Sequence, residues 1–88
     1  MLKISQVGAA DQTVTLKLEG RVVGPWVGEL RSACERAESQ ARTVSLDLED
    51  VVFVDPTGVT LLSNLSARGV ALLECSPFVE AQLKTSAP

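Results

Sequence analysis

Apolar and polar positions change their period several times along the chain, and each change marks the edge of an element. Leu2 to Val7 alternates weakly, as an edge strand does, and Gly8-Ala9-Ala10-Asp11 reads as a turn. Val14, Leu16 and Leu18 then alternate with Thr13, Thr15, Lys17 and Glu19, which is the period of a half-buried strand. Two such strands joined by a short turn make a hairpin. After Gly20 the period lengthens: Trp26, Leu30, Cys34, Ala37 and Ala41 recur at helical spacing, and Val27 and Ala33 widen the stripe. Val44, Leu46 and Leu48 alternate again, and Val51 to Val54 continue as an apolar run. A second helix carries Val59, Leu61, Leu62 and Leu65 inward and closes at Gly69, a C-cap position. Val70 to Cys75 is nearly all apolar, as in a strand covered on both faces. A last helix turns Phe78, Val79 and Leu83 inward.

The three predicted helices open alike. Gly24-Pro25, Asp55-Pro56 and Ser76-Pro77 each place a proline just after a candidate N-cap. Proline suits the first helical position because the N–H it lacks would be unpaired there anyway. The Asp and Ser side chains accept from the free N–H groups that follow. The order strand, strand, helix, strand, helix, strand, helix predicts a small α/β domain with a mixed sheet of about four strands. Its first strand is antiparallel, and the later strands run parallel through right-handed helical crossovers. Residues 1–84 form this one domain, and 85–88 read as a loose tail. In such sheets, sites form beyond the carboxyl ends of the parallel strands. The loops Gly20 to Pro25, Asp55 to Gly58, and Ser76-Pro77 meet that condition.

Composition narrows the function. The chain has 88 residues, 45% of them hydrophobic and 22% charged, which is globular composition for one small domain. Eight Lys and Arg stand against eleven Asp and Glu, a net charge of −3, and the basic residues are scattered. That distribution argues against nucleic-acid binding. There is no histidine, which argues against the usual triads and a structural zinc, and no phosphate-cradling glycine loop occurs. No cofactor or metal is expected. Cys34 and Cys75 lack metal-site spacing; they could pair in principle, but read rather as reduced packing residues of a cytoplasmic protein. The N-terminus has no signal-peptide pattern, and no apolar run reaches membrane-spanning length.

Few residues carry chemistry. Asp47, Glu49 and Asp50 read either as a solvated strand end, with Asp50 opening a turn, or as paired carboxylates for acid/base work. The stretch Val54-Asp55-Pro56-Thr57-Gly58 is richer. A helix N-terminus offers free N–H groups and the positive end of a dipole. Thr57 sits in that first turn, and Gly58 lets another surface approach the backbone. The other reading is a plain cap with a solvated threonine. Trp26 is either a core residue on the helical stripe or an interface anchor. Arg21 can meet an acidic partner.

Gly20, the strand Val44 to Leu48, the run Val51-Val52-Phe53-Val54-Asp55, the pair Thr57-Gly58, and Gly69-Val70-Ala71-Leu72-Leu73 followed by Ser76-Pro77 together resemble the STAS family (sulphate transporter and anti-sigma-factor antagonist). The resemblance runs from the first strand to Leu83. It implies a non-catalytic protein-binding module of bacterial signalling and transcription regulation. Its partner-binding residues would be Arg21, Trp26, Asp55, Pro56, Thr57, Gly58 and Ser76. In the family's antagonists the motif reads Asp-Ser-Ser/Thr-Gly, and a partner kinase of the GHKL (histidine-kinase-like) type, itself the anti-sigma factor, phosphorylates the first hydroxyl residue. Asp55, Thr57 and Gly58 match their positions, but Pro56 occupies the acceptor and has no hydroxyl. Thr57 is then the one candidate phosphoacceptor. The helix after Gly58 looks short for an antagonist, and the family's final strand and helix have no counterpart after the third helix, which points to a homodimer or a permanent partner. The family also includes an accessory subunit of an ABC-type lipid-transport ATPase, which needs no phosphorylation.

Overall fold

The computed structural model describes residues 2–10 and 12–86. β1 (Leu2–Ala10) and β2 (Thr13–Val22) form the antiparallel hairpin. α1 (Pro25–Gln40), β3 (Thr43–Val54), α2 (Pro56–Ala67), β4 (Ala71–Leu73) and α3 (Pro77–Ser86) follow in the predicted order. The sheet order is β1-β2-β3-β4, with β2, β3 and β4 parallel.

One core holds the layers together. Val14, Leu16, Leu18 and Val22 of β2 and Val44, Leu46, Leu48, Val51 and Val54 of β3 are buried. They meet Leu30, Ala33, Cys34 and Ala37 of α1 and Val59, Leu61, Leu62 and Leu65 of α2 in the same cluster. α2 buries the stripe that its spacing predicts, and α1 buries Leu30, Cys34 and Ala37 of its stripe while Trp26 and Ala41 are half-buried. At their far ends, α1 and α2 are joined by Arg68, whose guanidinium donates to both Glu38 oxygens at 2.7 and 2.8 Å. Beyond Arg68, Val70 N–H donates to Leu65 O and Gly69 N–H to Ser66 O, a Schellman closure of α2.

β3 is longer than its alternation predicts. Its pairing with β2 slips once between Lys17 and Glu19 and again between Gly20 and Arg21, each time leaving one extra residue in β3. These bulges explain the spacing of the buried positions, which runs 44, 46, 48, then 51, then 54. They also keep Asp50 in the strand, where its carboxylate pairs with Lys17 at 3.1 Å, rather than opening a turn.

Other elements depart from the expected pattern. Gly8, Ala9 and Ala10 are strand, not turn: after a bulge between Gln6 and Gly8 they pair with Thr15, Val14 and Thr13. The partner strand supplies the hydrogen bonds that their weak propensity does not. Asp11 lies outside the described residues, and Gln12 takes the turn with φ 67. Val70 to Cys75 is not a strand covered on both faces. β4 has three residues, pairs only with Ser45 to Asp47, and exposes Ala71 and Leu73, because it is the edge of the sheet. Phe78 points outward and is 54% exposed, while Val79 fills the core position beside it. α3 takes in Thr85 and Ser86 of the expected tail, and Ala87 and Pro88 lie outside the described residues.

Candidate functional site

The β2–β3 pair ends with Val22 beside Val54, and Asp55 N–H donates to Val22 O at 3.1 Å. From that level both chains turn at once into helices. β2 needs only Val23 and Gly24 before Pro25 opens α1, and Gly24 has φ 51 and ψ −128, a conformation open to glycine. No side chain caps α1. β3 needs only Asp55 before Pro56 opens α2.

Asp55 joins the two junctions. Its Oδ1 accepts from Gly58 N–H at 2.7 Å and from the Thr57 hydroxyl at 2.8 Å, and its Oδ2 accepts from Gly24 N–H at 2.8 Å. One carboxylate thus caps α2 and ties down the loop that opens α1. The Gly24 and Gly58 N–H groups hold its carboxyl below the ordinary range against the opposing effect of burial, and the Thr57 hydroxyl adds to them more weakly.

Gly58 is buried, so it does not offer backbone to a partner. A Cβ there would lie 2.6 Å from Val22 O and 2.8 Å from a Val54 methyl. The surface that needs its missing side chain is the end of the sheet itself. Pro56 and Thr57 face outward on the first turn of α2.

The remaining candidates divide. Arg21 is exposed, beside Phe53 across the β2–β3 pair, and makes no ion pair among the described residues. Ser76 caps α3, its hydroxyl accepting from Val79 N–H at 3.2 Å. The third loop meets the first two only indirectly. The Phe78 ring lies 6.3 Å from that of Phe53, and Gln82 Nε2 donates to Val54 O at 2.8 Å. Trp26 is half-buried; it packs against the core and lines a cavity with Leu2 and Ile4 of β1. The exposed pair Phe53 and Phe78 was not singled out by sequence. The signal was masked by the second β3 bulge, which turns Phe53 outward within an apolar run.

No protein-family model matches the sequence, and no curated protein matches it. Solved structures do match. The anti-sigma factor antagonist SpoIIAA in its unphosphorylated form superposes with a TM-score of 0.71 at 21% identity, over 96% of this chain and 84% of that one. The phosphorylated form of SpoIIAA, a Bacillus cell fate determinant, gives a TM-score of 0.70 at 20% identity, over 97% and 84%. The fold is the STAS fold of SpoIIAA. In this STAS-like fold the two strand-to-helix junctions at the carboxyl ends of β2 and β3 are locked by Asp55. No helix among the described residues is long and apolar enough to cross a membrane.

Proposed function

We propose that this chain is a non-catalytic protein-interaction module of the anti-sigma-factor-antagonist kind, and that it binds its partner through the surface around the start of α2 without a phosphorylation switch. The observation that carries the reading is Pro56 itself. It sits exposed at the first position of α2, directly after the capping Asp55, where the antagonist motif has its phosphorylated hydroxyl residue. A pyrrolidine ring offers no oxygen to phosphorylate. Thr57, the neighbouring hydroxyl, donates to Asp55 Oδ1. A phosphate on its oxygen would replace that donor with negative charge beside a carboxylate, which like-charge repulsion disfavours. The reading therefore makes the module constitutively competent for binding, with Arg21 and the exposed Phe53 and Phe78 extending the surface.

The test is phosphopeptide mapping after incubation with ATP and a co-purified GHKL-type kinase. Wild type is expected to remain unlabelled. Pro56→Ser rebuilds the motif Asp-Ser-Thr-Gly and is expected to take phosphate on the new serine. Phosphate on wild-type Thr57 would overturn the lost switch and favour a phosphorelay role. Recovery of an ABC-type ATPase in place of a kinase would replace the signalling role with that of a transport accessory subunit.

A further inference from the structure

β1 is an edge of the sheet, hydrogen-bonded to β2 alone among the described residues. An unpaired strand edge is a template for another strand. Beside it runs α1, and between the two lies a groove. One end is a cavity of about 240 Å³ lined by Leu2, Ile4, Trp26, Glu29, Ala33 and Arg36. The other, of about 220 Å³, shares Ile4, Ala33 and Arg36 and extends to Gln6 and Gln40. Ile4 and Ala33 stand in both, so they mark the middle of the groove.

We propose that this groove is a homodimer interface in which β1 of one copy pairs antiparallel with β1 of a second copy across a two-fold axis at Ile4 and Ala33. The charges identify the occupant. Glu29 and Arg36 are seven residues apart, two turns on one face of α1, and Ala33 lies between them. Both are exposed, and neither side chain makes an ion pair or a hydrogen bond among the described residues. A two-fold axis at Ala33 sets two α1 helices antiparallel, and it places Glu29 against the partner's Arg36 and Arg36 against the partner's Glu29. The surface is complementary to itself, which an isologous interface requires.

The strand register agrees with the helix register. With Ile4 opposite the partner's Ile4, Leu2 falls opposite the partner's Gln6 and Lys3 opposite the partner's Ser5. No like charges face each other. Leu2 and Ile4, on the α1 side of the strand, bring the apolar side chains that the groove accepts. Ala33 is small enough to let the two helices approach. The bulge between Gln6 and Gly8 ends the flat stretch, so pairing stops after five residues.

The test is analytical ultracentrifugation over a wide concentration series. Wild type is expected to associate reversibly to a dimer, with a change in the fluorescence of Trp26, the one tryptophan. Glu29→Arg or Arg36→Glu alone turns two attractions into two repulsions and is expected to weaken association by about tenfold. Both residues are solvent-exposed on a helix, so the fold persists, as circular dichroism will show. Mixing the two single variants restores opposite charges on both sides and is expected to yield a heterodimer, and the double variant E29R/R36E is expected to dimerise like wild type. A wild type that stays monomeric throughout overturns the proposal. So does a dimer that the single variants do not weaken, or a mixture that does not recover.

Discussion

Asp55 Oδ2 accepts the backbone N–H of Gly24, thirty-one residues earlier in the chain, at 2.8 Å. The same carboxylate caps α2 through Gly58. One short side chain therefore sets the relative position of the first turns of two helices, and Pro56 and Thr57 stand on the outside of that arrangement. Its removal tests the whole junction.

Asp55→Ala is expected to cost about 1–2 kcal/mol, a full N-cap loss with a second backbone donor left unpaired. Denaturant melts measure the cost. Amide exchange should speed up at both Gly24 and Gly58. Faster exchange at Gly58 alone would mean that the Gly24 bond contributes nothing in solution.

The carboxyl of Asp55 titrates below its ordinary value of 3.8 because its folded form accepts three hydrogen bonds. A lowered folded pKa means that the unfolded chain takes up the proton first. The stabilisation is present above the ordinary value and is lost as pH falls through the lowered one. Stability is expected to fall in acid below about pH 4, and Asp55→Asn is expected to flatten that limb. The Gly24 and Gly58 amide shifts should titrate together, with a midpoint below that of exposed aspartates.

Two glycines in helices should respond in opposite directions. Gly58→Ala forces a methyl to within 2.6 Å of Val22 O and is expected to destabilise by about 1–3 kcal/mol. Gly28, in α1, has nothing within 4 Å of a built Cβ, so Gly28→Ala is expected to stabilise by about 0.5–1 kcal/mol. Thermal melts of both variants decide the point, and equal effects would remove the packing explanation for Gly58.

The cysteines should differ in reactivity. Burial, with Glu38 adding to it, pushes the Cys34 thiol up to about 11, so near neutral pH almost none is thiolate. Cys75 is half-buried and also raised, by burial first and then by Glu80. A thiol reagent is expected to modify Cys75 first and Cys34 only on unfolding. Equal rates would mean that the α1 core opens readily.

Much of this fold was legible because its strongest signals are local. A proline after Gly24, Asp55 or Ser76 fixes a backbone angle whatever surrounds it, and all three helices start there. Asp55 was legible as a cap for the same reason. Its bond to Gly24 was not, because that depends on β2 and β3 ending level. The bulges of β3 belong to a pair of strands and leave no mark in either one alone. Gly58 looked like an opening toward a partner because its neighbour, Val22, is far away in sequence. The brevity of β4 follows from its place at the sheet edge, which composition does not encode.

The two slips in β3 make that strand behave like a reading frame. The first moves the inward set from even to odd residue numbers, so that Val51 faces the core, and the second returns it to even at Val54. Deleting the extra residue at either slip would close that bulge and still leave Val54 beside Val22, so Asp55 would keep its reach to Gly24. Between Val44 and Asp47 every residue has its own partner in β2, and no spare residue absorbs a loss. Single deletions at the slips are therefore expected to be tolerated better than single deletions upstream of them.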